Sequence, residues 1–117
     1  MMTRTLLLAL LLLPHPALAH AFLTQASPSV GSDVATPPAQ ILLSYTEGVE
    51  VPFCRVTVTA ANGKPVQTGN PQAVPGHGDE LAVPVNITAP GVYTVTWHAV
   101  AVDTHHTEGS FPFTVGP

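Results

Sequence analysis

Five stretches of this chain place an apolar residue at every second position, with proline or glycine turns between several of them. Ile41, Leu43 and Tyr45 alternate after Pro37-Pro38, and Val56, Val58 and Ala60 alternate up to Asn62-Gly63. Leu81, Val83 and Val85 follow a Gly/Pro/Asp-rich loop over 69–79. Tyr93, Val95, Trp97 and Ala99 follow Ala89-Pro90-Gly91, and Phe111, Phe113 and Val115 close the chain. A period of two puts every second side chain on one face, as a strand with one buried face requires. No stretch carries the 3.6-residue period of an amphipathic helix. Composition agrees, because 13 prolines and a charged share of only 9% disfavour long surface helices, which lean on Glu and Lys. Short strands about ten residues apart, with turn signals between them, predict an all-β chain folded as an antiparallel two-sheet sandwich.

Local detail sharpens that expectation. Gly91-x-Tyr93-x-Val95 echoes the tyrosine corner of immunoglobulin-like Greek-key sandwiches, with Val95 where their second cysteine would stand. Pro112 has no amide to donate, so the last strand must be an edge there or turn that position away from the ladder. Cys54 shares the parity of Val56 and Val58 and is expected in the core as a small hydrophobe. As the single cysteine it cannot form an internal disulfide, and a thiolate metal ligand or an intermolecular bridge are its functional alternatives.

The first nineteen residues read as an export signal. Met1 to Arg4 supplies a positive start, Leu6 to Leu13 an apolar run, and Pro14 and Pro16 break it before Ala17-Leu18-Ala19, a small-x-small cleavage site. The apolar run is less than half the roughly 20 residues that a membrane span needs. Residues 20–117 are then the mature domain, exported, without a membrane anchor. Ala19-His20-Ala21 is also small-x-small, and cleavage there would begin the chain at Phe22 instead of His20. In the mature segment Arg55 and Lys64 face seven carboxylates, a net charge of −5 with histidines neutral. Two cations cannot form a basic stripe, which excludes nucleic acid as a partner.

The chemistry lies at the two ends of the mature segment. A histidine at position one offers a free α-amine beside its imidazole, and the amine and ring Nδ1 can close a chelate ring on one metal ion. Internal histidines cannot, because their backbone nitrogen is an amide. Nitrogen donors of this kind favour Cu(II), which also tops the divalent affinity order. The second cluster is Asp103-Thr104-His105-His106, in the turn before the last strand. In extended backbone Asp103 and His105 share a face while Thr104 and His106 point the other way. An imidazole and a carboxylate on one face can complete a nitrogen-and-oxygen site, although Asp and Thr are also ordinary turn residues.

Together these residues resemble the CopC copper-resistance family of small periplasmic copper-binding proteins. The resemblance runs through His20-Ala21-x-Leu23, Ser27-Pro28-x-x-Gly31 and Pro38-x-x-Ile41-x-Leu43-x-Tyr45-x-Glu47. It continues in Gly91-x-Tyr93-x-Val95-x-Trp97, Asp103-Thr104-His105 and Gly109-Ser110-Phe111-x-Phe113. It implies an immunoglobulin-like β-sandwich that binds one Cu(II) outside the cytoplasm and hands it on without catalysis, often to a CopD-type membrane protein. Carried over, His20 would bind through its amine and Nδ1, His105 through its imidazole, and Asp103 would bind directly or orient the site. Glu47 stands where some members place a glutamate near the metal; a solvated acid at a strand end is the equal alternative. Family members usually carry proline where this chain has His106. Some also carry a methionine-rich Cu(I) site, but Met1 and Met2, the only methionines, leave with the signal.

The remaining histidines rank lower. His77 is expected solvated in a flexible loop, and His98, opposite in parity to Trp97, on the outer face of its sheet. Two other classes of function compete with copper carriage. An oxidative copper enzyme can use the same amino-terminal chelate, but seven aromatics mostly at core parity leave little for a substrate platform. A plain interaction domain would make the histidines incidental.

Overall fold

The computed structural model describes residues 21–117, so the expected signal and His20 lie outside the described residues. Eight strands follow in order: β1 (Leu23–Ser27), β2 (Asp33–Val34), β3 (Gln40–Tyr45), β4 (Arg55–Thr59), β5 (Gln72–Val74), β6 (His77–Pro84), β7 (Gly91–Val100) and β8 (His106–Val115). They form two four-stranded sheets, ordered β1-β3-β6-β5 and β2-β8-β7-β4. The chain changes sheet at every step except β5 to β6 and β7 to β8, and such crossings between sheets mark the Greek-key pattern of an immunoglobulin-like sandwich. All pairings are antiparallel except the two-residue β2, which runs parallel to β8.

The alternation predicts the core correctly. Ile41, Leu43, Tyr45, Leu81 and Val83 from one sheet meet Val56, Val58, Tyr93, Val95, Trp97, Ala99, Phe111, Phe113 and Val115 from the other, all buried. Fully buried side chains of this size each contribute about 1.5–3 kcal/mol. Trp97 packs edge-on to Tyr45, with centroids 5.3 Å apart. Gly109 lies opposite Trp97, and a Cβ there would stand 2.7 Å from the indole; a glycine is what the ring's position requires. The tyrosine corner is present: the Tyr93 hydroxyl donates to the Ala89 carbonyl at 2.5 Å.

Pro112 follows the second of its two expected options. Its carbonyl accepts from Gly31 N at 2.7 Å. A strand residue's nitrogen and carbonyl point the same way, so the missing donor faces away from β7 and costs that ladder nothing. Cys54 is buried as expected, its Sγ accepting from Val100 N at 3.5 Å. Burial pushes its thiol pKa up, which disfavours the thiolate a metal would require. His77 departs from expectation. It does not lie in a flexible loop but opens β6, paired with Val74, after a Pro75-Gly76 turn in which Gly76 takes φ 80°.

Candidate metal centre

One end of the sandwich gathers Glu47, Asp103 and His105, the expected ligands that fall among the described residues. β1 and β6 begin there and β3 ends there, with Leu23 opposite Tyr45 and Glu80 opposite Ser44. β7 turns into β8 at the same end. An isolated bridge, Val49 to Ala101, ties the segment after β3 to that turn.

The turn itself is a three-residue hairpin loop. Ala101 N donates to His105 O at 2.9 Å, and Thr104 N donates to Ala101 O at 2.8 Å. Thr104 takes φ 76°, the left-handed conformation that a three-residue hairpin uses before its second strand and that a β-branched residue adopts only under strain. Asp103 and His105 therefore come together by another route than extended backbone. The turn, not strand parity, brings them to one side. Asp103 Oδ1 accepts from His105 N at 3.1 Å, and Asp103 Oδ2 lies 3.2 Å from His105 Nδ1. One carboxylate thus holds both the backbone and the ring of His105. Nδ1 is turned to Asp103, and a carboxylate behind a histidine is how metal sites fix a ring's orientation.

The start of the described chain is tied to this turn. Ala21 is fully buried, and its carbonyl accepts from Thr107 Oγ1 at 2.7 Å. Phe22 and Thr46 exchange two bonds, Phe22 N to Thr46 Oγ1 and Thr46 N to Phe22 O, each 2.9 Å. Ala21 is thereby anchored to a residue two positions from His105. Thr107 and Thr46 carry this anchoring, and sequence reasoning did not single them out; a threonine within two residues of the candidate histidine is the only signal the sequence offers. Glu47 is half-buried at the same end. It lies between Thr46, bonded to Phe22, and Gly48, whose carbonyl accepts from Val102 N at 3.1 Å.

The other histidines fall elsewhere. His98 lies on the outer face of its sheet, as expected, 3.1 Å from Glu108. His106 is exposed and pairs with Val100, lining a groove with Pro52, Phe53 and Arg55 rather than joining His105.

A family model described as the CopC domain matches residues 23–116. Protein YobA of Escherichia coli K12 is 36% identical over 98 residues, covering 83% of this chain and 79% of that protein. Copper resistance protein C of Pseudomonas syringae pv. tomato is 34% identical over 119 residues, covering 95% of this chain and 92% of that one. Among solved structures, CopC from Methylosinus trichosporium OB3b superposes with a TM-score of 0.78 at 32% identity, covering 84% of this chain and 95% of that one.

Proposed function

This chain belongs to the CopC domain family, and from that premise we propose that it is an exported copper-binding protein that takes one Cu(II) per chain for trafficking, buffering or resistance. Copper is its cargo. His105 offers Nε2, Asp103 orients the ring and supplies negative charge, and His20 adds the amine and imidazole of the mature amino terminus. Glu47 is the fourth residue and the second acid of this set. The observation that carries the reading is the double hold of Asp103 on His105, two residues from the threonine that anchors Ala21. His20, the residue before Ala21, would add its amine and imidazole to the His105 ring and the Asp103 carboxylate, a donor set that suits Cu(II).

Carriage rather than catalysis is supported by the aromatic residues. Tyr45, Tyr93, Trp97, Phe111 and Phe113 are buried, and Phe22 and Phe53 are exposed, which is little platform for a polymeric substrate. Among the described residues no helix is long and apolar enough to cross a membrane. Delivery to a CopD-type membrane protein fits an exported carrier and belongs to the same proposal.

The test is equilibrium dialysis of the exported protein against Cu(II), with the mass of its amino terminus measured on the same sample. His20 should be the first residue. One tightly held Cu(II) should resist stoichiometric Zn(II), and His105→Ala should weaken it strongly while His98→Ala leaves it unchanged. Equal competition by Zn(II), or tight binding by His105→Ala, would remove the proposed site.

A further inference from the structure

A second group of side chains with metal-ligating atoms stands at the same end of the sandwich. His77, Asp79 and Glu80 each present one donor atom, and the three donors lie within 4.8 Å of one another. His77 Nδ1 is 3.9 Å from Glu80 Oε2. A regular strand would turn Glu80 to the face opposite His77 and Asp79. The ladder explains why they converge. Val74 pairs with His77 and Ala73 with Leu81, so Gly78, Asp79 and Glu80 have no opposite number on β5. A strand that carries extra residues in this way bends and re-aims its side chains.

The charge of the group is also unbalanced. Asp79 and Glu80 are adjacent and half-buried, and among the described residues neither pairs with a lysine or arginine. The nearest cationic candidate is His77 itself. Two carboxylates and an imidazole crowded together, without a fixed counter-ion, are stabilised by a divalent cation.

We propose that His77, Asp79 and Glu80 form a second, weaker site for a divalent first-row ion, with Cu(II) and Zn(II) best suited to one imidazole and two carboxylates. The site is independent of the one assigned to His20, Asp103 and His105. It is weaker because it has three donors and no amine chelate, and because the His77 side chain is 60% exposed and must be ordered on binding. Its position relative to the first follows from the backbone. The 46–49 segment bonds on one side to Gly78 (Val49 N to Gly78 O, 3.0 Å) and on the other to Val102 (Val102 N to Gly48 O, 3.1 Å). One strand-like segment thus separates the two sites, and two strand spacings put their backbones roughly 10 Å apart. The same end of the molecule would carry two ions that load in order of affinity.

Titration of the exported protein with Cu(II), and separately with Zn(II), tests this by counting bound ions in equilibrium dialysis. The native protein should take a second ion at least about tenfold more weakly than the first. His77→Ala should lose it, and Glu80→Gln, which removes one of the two negative charges that face the ion, should weaken it by about tenfold. His105→Ala should keep it while losing the tight ion, so failure at one site is read separately from failure at the other. Thermal unfolding of each variant controls for the fold. Should His77→Ala disturb the hairpin, Glu80→Gln, which keeps the side chain's size, decides the matter. A single bound ion up to millimolar metal, or a second ion that His77→Ala and Glu80→Gln leave unchanged, would overturn the proposal.

Discussion

Asp103 uses one carboxylate for two tasks, accepting from the His105 backbone at Oδ1 and facing its ring nitrogen at Oδ2. The two contacts together fix where Nε2 points. Asp103→Ala removes both, so Cu(II) affinity should fall about 10–100-fold, as losses behind a ligating histidine usually do. The isotherm measures this, and an unchanged melting temperature would separate it from unfolding. If Asp103→Ala bound copper as tightly as the native chain, neither orientation nor ligation by that carboxylate would matter. The pairing of Asp103 with His105 was legible in the sequence, but the reason was not. Parity in an extended strand supplied the right neighbours, whereas the left-handed Thr104 is what brings them together. Threonine gives no local signal for that conformation, so the turn geometry had to come from the structure.

At the level of elements, the strands that pack alternate residues into the core were legible and the thinly packed ones were not. β3, β6, β7 and β8 have neighbours on both sides and a sheet packed against them, and the edge strand β4 still buries Val56 and Val58. β1 and β5 are edge strands with at most partly buried residues, and β2 is two residues long; such segments need no alternation and show none. The irregularity of β6 against β5 was equally hidden, since it depends on register, and it is what gathers His77 with Asp79 and Glu80. Between β7 and β8 the tightest fit is Gly109 against Trp97. Gly109→Ala should force the indole or the backbone to shift and destabilise the fold by about 1–3 kcal/mol. Urea unfolding with Trp97 fluorescence reads both the loss and the ring's displacement. A variant as stable as the native chain, with unchanged fluorescence, would mean that the sheet yields freely at that pair.

Across the whole molecule, the core holds Tyr45 and Cys54, two acids that burial keeps in their protonated forms. In the unfolded chain they ionise near their ordinary values of 10.0 and 9.0. The unfolded state therefore releases protons first as the solution turns alkaline. Stability from these groups is complete below those values and is lost as pH rises past them. The urea midpoint should fall between about pH 8.5 and 10.5, and Tyr45→Phe combined with Cys54→Ala should flatten the decline. A flat native profile would contradict the assignment. The proposed copper site likewise depends on the whole fold, since it draws on the bond between Ala21, the first described residue, and Thr107, 86 positions later. That junction was legible only as two motifs at opposite ends of the sequence. The most direct measurement is Cu(II) affinity of the mature protein with one residue added before His20, compared with the native amino terminus. The added residue keeps the imidazole and removes the primary amine. Copper should then bind weaker by orders of magnitude while thermal unfolding stays the same. Equal affinity in the two proteins would contradict the amino-terminal chelate and leave the site to internal histidines alone.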